Sequence, residues 1–381
     1  MFNTFDSDSE EEYDDILGQI FFNKYHCIKK LGEGSFGQIY EANYKKEKYA
    51  LKFEERKKDY NLLQNEAAIM NYLKGPNIPF VKSYGFNNKY NILVMQLLGK
   101  SLEELLMERK NFSLKTVCML GYQMINTLEF IHERHILHRD VKPDNFVMGL
   151  DELSENVYLI DFGLAKKYRS MTTLIQYPLT KKDKLTGTAR YASINALKGY
   201  EHSRRDELES VGYILVYFLK GKLPWQRIKA NTKEEKYKKI LEKKIEISSN
   251  ELCKGLPKEF ENFLEYTKQL KYEERPNYNI LRKFLDNIMK RKNYNYDYIY
   301  DWTTLEEKEF RKHNRTKTEP TGETMSFNEN EQQIYYNEDT INNNIYHIER
   351  NNKLFENKFE NKFENNRFEN KETAICSCFI F

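Results

Sequence analysis

Cysteine and proline are scarce in this chain, which has five cysteines and eight prolines among its 381 residues. Three of the cysteines, Cys27, Cys118 and Cys253, stand far apart in the sequence. That spacing does not indicate a disulfide framework and is typical of proteins in a reducing compartment. No apolar run approaches the roughly 20 residues that a membrane-spanning helix requires, and the acidic N-terminus is unlike a signal peptide. We therefore expect a soluble cytoplasmic protein, with a nuclear pool left open.

Charge of one sign is not in excess either, because 61 basic residues are balanced by 58 acidic ones and the net charge is +3. The overall electrostatic field of a protein with so small a net charge is weak, and it does not favour a nucleic-acid partner. Hydrophobic residues make up 40% of the chain, which is enough for a buried core, yet the mean hydropathy of -0.81 is low for a fully packed protein. Part of the chain should therefore lie outside the core.

Composition divides the chain into three parts. Residues 1–22 include the run DSDSEEEYDD and predict a disordered acidic arm, because crowded like charges oppose collapse. Residues 23–302 show alternating apolar strand patterns up to about residue 100 and helical spacing afterwards. Residues 303–381 are rich in Asn, Glu and Lys and predict a low-complexity tail. The expected fold class is α+β, with a small β-rich lobe followed by a larger helical lobe.

A glycine-rich segment, LGEGSFGQIY, lies between stretches of alternating apolar residues. Glycines at these positions let backbone N–H groups approach phosphate oxygens closely. The pattern alone is weak, because a glycine-rich hairpin turn has similar spacing and a dinucleotide-binding fold would need a parallel βαβ unit. The candidate nucleotide-binding residues in this segment are Leu31, Gly32, Glu33, Gly34, Ser35, Phe36, Gly37, Gln38 and Ile39.

A lysine on a predicted strand follows this segment. Lys52 and Ala50 belong to the strand motif YALK, and an ammonium group there can reach the α- and β-phosphates of ATP if a carboxylate orients it. Glu66, in the predicted helix LLQNEAAIMNYL, is the candidate for that carboxylate. We expect the leucines and the isoleucine of this helix to lie on its opposite face. The alternative is an ordinary surface glutamate.

The segment HRDVKPDN, residues 138–145, places a carboxylate, a lysine and an amide on one short loop. We expect Asp140 to accept or orient the proton of an attacking hydroxyl and Lys142 to steady the transferred phosphate. Asn145 and Asp161, the latter in a DFG motif, are candidate ligands of Mg²⁺, which prefers hard oxygen ligands. The cysteines and histidines show no zinc-ligand spacing. Together with the strand lysine, these motifs predict phosphoryl transfer from magnesium ATP to a hydroxyl.

Two other functions are compatible with part of this pattern. A nucleotide-dependent oxidoreductase uses a glycine-rich loop, but it has no role for HRDVKPDN or DFG. A catalytically silent scaffold that binds nucleotide and recruits partners through its tail stays open, although Lys52, Asp140 and Asp161 are all in place. A phosphate-transfer assay separates the scaffold from the enzyme.

Six longer segments of the chain are LLGKSLEELL, HRDVKPDNFVMG, LIDFGLAKKY, LTGTARYASINA, SRRDELESVGY and LPWQRIKA. These segments resemble the casein kinase I family of serine/threonine protein kinases, and the likeness extends over about residues 25–302. The sequence SIN at 193–195 stands where most kinases have APE, as in this family. The resemblance implies a bilobal protein kinase fold, ATP and Mg²⁺ as cofactors, a monomer, and activity without phosphorylation of the activation loop. It also implies protein substrates with acidic or phosphorylated residues near the target serine or threonine.

The same resemblance implies roles for further positions. Met95 is in the position of the gatekeeper, and the backbone of Leu98 is in the position that meets the adenine ring. Arg190 and Lys236 are in the positions of a pocket that holds an acidic or phosphorylated residue of the substrate. Guanidinium and ammonium groups suit such an anion.

Two residues depart from the family pattern. Asp183 stands where the family commonly has a lysine near the anion pocket, which puts strict dependence on a priming phosphate in doubt. Glu207 stands where an aspartate usually braces the catalytic loop, and we expect the longer carboxylate to reach the loop as well.

The chain ends in CSCFIF, which is a candidate lipidation motif. Cys378 begins a CaaX-like sequence, and Cys376 is a candidate for a second acyl chain. Two lipids would anchor the protein stably at a membrane, whereas one would not. An apolar chain end with two thiols explains the sequence equally well. Peripheral membrane attachment through the C-terminus is therefore an open expectation.

Overall fold

The computed structural model describes residues 15–34, 37–56, 61–182 and 184–304, together with Glu306 and Glu309. Several predicted features lie outside the described residues. They are most of the acidic arm, Ser35 and Phe36 of the glycine-rich segment, Asp183, and most of the tail, including Cys376 and Cys378.

The N-terminal lobe is one six-stranded sheet and a single long helix. Its strands follow the order β1-β2-β3-β4-β6-β5, and every neighbouring pair is antiparallel. Because no parallel unit occurs in this sheet, the glycine-rich segment is not part of a dinucleotide-binding fold. The elements are β1 (Ile20–Phe21), β2 (Tyr25–Gly34), β3 (Gly37–Tyr44), β4 (Glu47–Glu55), α1 (Leu62–Leu73), β5 (Val81–Phe86) and β6 (Tyr90–Gln96).

The folded region begins earlier than the predicted arm allows. Ile16 is fully buried, and Phe21 packs edge-on against Phe53 at a ring-centroid distance of 4.7 Å. Strand β1 also pairs with β2. The expectation of a disordered arm up to residue 22 is therefore wrong for residues 15–22, because the apolar side chains that follow the acidic run pack against one face of the sheet.

Helix α1 begins after Asn61, whose side chain accepts a hydrogen bond from the Gln64 N–H and so caps the helix. Glu66 is 2% exposed and lies on the same buried side as Leu63 and Met70. The prediction that the apolar residues occupy the face opposite Glu66 is therefore wrong. The cause is the helical period, since positions three and four apart share one face.

The C-terminal lobe is mainly helical, so the predicted two-lobed α+β architecture is confirmed. Helices α3, α5, α8 and α9 pack around its core. Ser113 caps α3, and Ser203 and Asp206 form a capping box at the start of α5. The helices are α2 (Leu102–Arg109), α3 (Leu114–Glu133), α4 (Ile194–Leu197), α5 (Arg204–Lys220), α6 (Lys233–Glu246), α7 (Ser249–Leu252), α8 (Lys258–Gln269) and α9 (Tyr278–Arg291).

Two small antiparallel pairs carry the loops that the motifs predict to be catalytic. Strand β7 (Ile136–Leu137) pairs with β10 (Lys166–Lys167), and β8 (Phe146–Met148) pairs with β9 (Val157–Leu159). Because HRDVKPDN lies between β7 and β8 and DFG lies between β9 and β10, the pairing brings the two motifs side by side. Among the described helices, none combines the length and apolar character needed to cross a membrane.

Candidate active site

The glycine-rich segment forms a hairpin at the end of strands β2 and β3. Gly32 pairs with Ile39, and Gly34 pairs with Gly37. A Cβ atom added at Gly32 or Gly34 would meet nothing within 4 Å, so the backbone there borders open space. Gly37 has φ +120°, and a Cβ atom would lie 1.8 Å from the carbonyl oxygen of Phe53, so only glycine fits there. The hairpin therefore leaves room for a phosphate chain beside its backbone.

Lys52 connects the two lobes. Its Nζ atom lies 2.7 Å from Glu66 Oε2 in α1 and 3.0 Å from Asp161 Oδ1 in the large lobe. The Lys52 and Glu66 side chains are 6% and 3% exposed, so Glu66 is not a surface glutamate. Burial alone would raise the pKa of Asp161, but the Lys52 ammonium holds that pKa below its ordinary value. The Asp161 carboxylate is therefore ionised and could bind a metal cation.

In the loop HRDVKPDN, the side chains of Lys142 and Asn145 both contact Asp140. Lys142 Nζ is 2.8 Å from Asp140 Oδ2, and the Asn145 side-chain amide donates to the Asp140 carbonyl oxygen at 2.9 Å. Burial opposes the charge of Lys142, but Asp140 raises its pKa, so the lysine stays protonated. His138 donates from Nε2 to the carbonyl oxygen of Ile160 at 2.8 Å, which ties this loop to the DFG motif.

Thr188 contacts Asp140 although the motifs did not predict it as a site residue. Its hydroxyl donates to Asp140 Oδ1 at 2.8 Å, so both oxygens of this carboxylate have a partner. Close approach of the two segments depends on Gly187, which has φ +84° and where a Cβ atom would lie 2.4 Å from the Arg139 carbonyl oxygen. The sequence signal for Thr188 was the hydroxyl residue of GTAR, two residues before Arg190.

Glu207 reaches the HRDVKPDN loop from α5. Its Oε1 atom accepts a hydrogen bond from the Arg139 N–H at 2.6 Å, and its Oε2 atom lies 2.7 Å from His132 Nε2. Glu207 is 1% exposed. Burial alone would raise its pKa, but the hydrogen bonds from His132 and from the Arg139 N–H hold that pKa below its ordinary value.

Replacing Glu207 with leucine should lower the free energy of unfolding by about 2–5 kcal/mol, because the change leaves two buried donors without an acceptor. Glu207→Gln should cost less, since an amide oxygen still accepts one hydrogen bond. Because the folded-state pKa is depressed, the wild-type advantage should be present above about pH 4.3 and decline as the pH falls below it. Urea unfolding at pH 7 and pH 4 measures both effects. Equal stability of Glu207→Leu and wild type at pH 7 would contradict this role.

The segment SIN is held by buried polar groups rather than by an APE glutamate. Ser193 donates to Asp206 Oδ1 at 2.5 Å, and the Ile194 N–H donates to Glu209 Oε1 at 3.0 Å. Lys244 donates to the backbone carbonyl just before Ser193 and is 2% exposed. Burial lowers the pKa of Lys244 to about 7. These contacts fix the segment next to Thr188 and so support the geometry around Asp140.

The residues expected to meet adenine lie where β4 adjoins β6. Ala50 pairs with Met95 across the two strands, and both are largely buried. Leu98 follows β6 and is half-buried. Gly99 donates its N–H to the Met148 carbonyl oxygen at 2.8 Å and joins this connection to the large lobe. The predicted adenine-side residues therefore share the boundary between the lobes with Lys52.

The two residues of the expected anion pocket have different surroundings. Arg190 Nη1 lies 3.4 Å from Glu103 Oε1 and 3.3 Å from the Tyr191 hydroxyl, and its side chain is 30% exposed. Lys236 is exposed on α6, which packs against α4, the short helix after Arg190. Among the described contacts of the Arg190 side chain, none is with Lys236. A bound anion would therefore compete with Glu103 for Arg190.

Mg²⁺ and ATP fit the residues present. Asp161 is ionised and 18% exposed, Asn145 lies on the neighbouring loop, and the hairpin at Gly32 and Gly34 borders open space. Among the described residues, no group of three or more His, Cys, Asp or Glu side chains is arranged to hold a metal by itself. A magnesium ion here would thus take its remaining oxygen ligands from phosphate and water.

The structure has the two-lobed protein kinase fold. Its small lobe is an antiparallel sheet with a glycine-rich hairpin, its large lobe is helical and carries the HRDVKPDN and DFG loops, and Lys52 bridges the two lobes. Comparison with models of known protein families matches residues 25–289 to the family described as protein kinase domain. The match covers more than half of the chain, and the chain belongs to the protein kinase family.

Proposed function

We propose that this protein kinase transfers the γ-phosphate of ATP to serine or threonine in protein substrates, as a kinase of casein kinase I type. The observation that carries the proposal is the joint arrangement of Lys52 between Glu66 and Asp161 and of Lys142 and Thr188 on Asp140. The serine/threonine assignment rests on the resemblance to the casein kinase I family in segments such as HRDVKPDNFVMG and LTGTARYASINA.

In the proposed reaction, the substrate hydroxyl oxygen bonds to the γ-phosphorus as the bond from that phosphorus to the bridging oxygen of ADP breaks. Asp140 accepts the hydroxyl proton, and the Thr188 and Lys142 contacts hold its carboxylate in position. Lys142 also lies where a cation would neutralise charge on the transferred group. Lys52 orients the phosphates, and Glu66 keeps its ammonium group in place. Mg²⁺, held by Asp161 and Asn145, would neutralise phosphate charge.

Phosphoamino-acid analysis tests the residue specificity. The full chain would be incubated with magnesium ATP labelled at the γ-phosphate and with casein-like acidic protein. We expect label on phosphoserine and phosphothreonine. Label found mainly on phosphotyrosine would overturn the serine/threonine assignment while leaving the kinase assignment intact.

The second candidate function is the catalytically silent scaffold. A silent protein has no need for Lys52 to pair with both Glu66 and Asp161, and both contacts are present. Nucleotide binding without transfer to any protein substrate would favour the scaffold. Transfer at a rate that falls on loss of Asp140 would exclude it.

The substrate class is proposed from Arg190 and Lys236. Arg190→Ala should lower kcat/KM about tenfold for a peptide with phosphoserine three residues before the target serine, because one charge-assisted hydrogen bond is lost. The rate with the unphosphorylated peptide should change little. Lys236→Ala should have a smaller effect of the same kind, since Lys236 is exposed.

Lys238→Ala is the matched control, because Lys238 is an exposed lysine of the same helix. Steady-state kinetics with the paired peptides measure the ratio directly. If Arg190→Ala lowers both rates equally, Arg190 supports the local structure through Glu103 rather than binding the priming phosphate.

A further inference from the structure

A cavity of about 230 Å³ lies in the large lobe, and none of the predicted ATP-binding or catalytic residues lines it. Its volume exceeds the about 30 Å³ that one water molecule occupies in the liquid and is below the roughly 300 Å³ of small drug-sized pockets. The cavity therefore suits one polar group of a larger molecule. Its lining comes from the end of α3, the segment after β10 and the starts of α5 and α9, and consists of His132, Glu133, Tyr168, Arg169, Arg204, Arg275 and Tyr278.

Three guanidinium groups make this arginine cavity electropositive. Arg275 pairs with Glu133 at the rim, where the two side chains are 64% and 51% exposed. Arg169 donates a hydrogen bond from Nε to His135 Nδ1 at 2.7 Å. This ring nitrogen is a neutral acceptor. In the part of the chain that the structure describes, neither Arg169 nor Arg204 takes part in an ion pair. Among the described residues, the guanidinium groups of Arg169 and Arg204 therefore have no carboxylate partner.

Arg204 gives the cavity a buried charge with only neutral partners. It is 5% exposed and donates to the Tyr168 hydroxyl at 3.3 Å, the Gln176 side chain at 3.1 Å and the Glu273 carbonyl oxygen at 2.7 Å. Its Nε atom has no hydrogen-bond partner among the described residues. A buried ion without a counter-charge is costly, so an anion in the cavity would stabilise Arg204.

We propose that the arginine cavity binds the phosphate of a phosphorylated side chain of a protein. A phosphate monoester carries about two negative charges and offers three acceptor oxygens, and guanidinium groups match it with paired hydrogen bonds. Helix α9 begins at Tyr278, so its positive N-terminal end adds to the attraction. The cavity volume of about 230 Å³ leaves room for the carbon atoms that link a phosphate to a backbone. This room favours a phosphorylated side chain over free phosphate.

The arginine cavity is also connected to the catalytic loop. His132 lines the cavity, its Nε2 atom lies 2.7 Å from Glu207 Oε2, and Glu207 Oε1 accepts the Arg139 N–H at 2.6 Å. Two hydrogen bonds through Glu207 therefore join the lining of the cavity to the HRDVKPDN loop, and a phosphoprotein docked in the cavity would contact one end of this connection.

His135 provides a local readout of binding. Burial, Arg169 and Lys167 lower the pKa of His135. A phosphate bound at Arg169 would offset the positive charge, so the pKa of His135 should rise by about 0.5 to 1 unit. Ring ¹⁵N NMR of the seven histidines in the full chain measures this shift, with the His135 signal assigned by His135→Asn. The probe is acetyl-Ala-phosphoSer-Ala-amide, and the unphosphorylated peptide is its control. An Arg190→Ala background removes the proposed substrate anion pocket.

Affinity for the same phosphopeptide tests the arginines. Calorimetry should show Arg169→Gln and Arg275→Gln each weakening binding at least about fivefold, with Arg109→Gln, an exposed arginine outside the cavity, unchanged. Thermal melting confirms that each variant is folded. The proposal is overturned if the His135 pKa does not move, or if both cavity variants bind as tightly as wild type. Binding of inorganic phosphate as tight as that of the phosphopeptide would overturn the assignment to a phosphorylated side chain.

Discussion

Asp140→Asn should lower kcat for phosphate transfer by about 10²- to 10⁴-fold while leaving the protein folded. Asparagine has nearly the same shape, and its oxygen can still accept the Thr188 hydroxyl that contacts Asp140 Oδ1 at 2.8 Å. It cannot accept a proton from the substrate hydroxyl, and it removes the anion that faces Lys142 at 2.8 Å. The rate of transfer, measured with saturating ATP and a seryl peptide, should therefore fall while ATP affinity changes little.

A control separates chemistry from folding in this variant. Asp144 lies in the same loop and is exposed, so Asp144→Asn removes a nearby charge without touching Asp140. It should retain most of the activity. If Asp140→Asn transfers phosphate within about threefold of wild type, Asp140 does not take the proton and the proposed mechanism fails.

Lys52→Met should lower kcat/KM for ATP by about 10²- to 10³-fold, because one preorganised cation on the reacting phosphates is lost. The side chain of methionine occupies similar space, so the fold should persist. Without the ammonium group, Glu66 and Asp161 would face each other with no cation between them, and the pKa of Asp161 should rise from its depressed value. A weaker magnesium site would then add to the loss.

Lys48→Met is the matched control for this variant. Lys48 lies on the same strand β4, but its side chain is 62% exposed and pairs with Glu41 outside the cleft. Its loss should leave kcat/KM within about twofold of wild type. Unchanged ATP kinetics in Lys52→Met would show that Lys52 joins the lobes without contacting phosphate.

Much of the candidate active site could be predicted as an arrangement of residues, because these residues occur in short, ordered motifs. The chemistry of phosphate transfer requires a lysine, a carboxylate on the neighbouring helix, and two loops with metal ligands. Lys52, Glu66, Asp140 and Asp161 carry those signals in order along the chain. The β-rich small lobe was predictable from a different signal, since alternating apolar and polar residues indicate strands.

Other features depend on contacts that sequence spacing does not encode. Ile16 and Phe21 stand beside a long acidic run, so local composition suggested an unpacked arm although their side chains are buried. Thr188 acquires its role only when Gly187 brings it next to Asp140. Likewise, Glu103 becomes a partner of Arg190 across 87 positions of sequence. Each of these features arises from tertiary packing rather than from a local pattern.

The arginine cavity illustrates the same limit over a longer range. Its lining residues extend from His132 to Tyr278, and each of them alone looks like an ordinary side chain in a helix or loop. Only the fold places Arg169, Arg204 and Arg275 around one volume. A buried arginine with neutral partners cannot be recognised from its neighbours in sequence.

The most direct test of the proposed function is the magnesium-dependent transfer of the labelled γ-phosphate from ATP to an acidic seryl peptide by the full-length wild-type chain. We expect multiple turnovers with Mg²⁺ and none when EDTA removes it, because Asp161 and Asn145 would hold the metal on the phosphates. ATP binding without any transfer to peptide or protein, with or without Mg²⁺, would contradict the kinase mechanism and favour the scaffold.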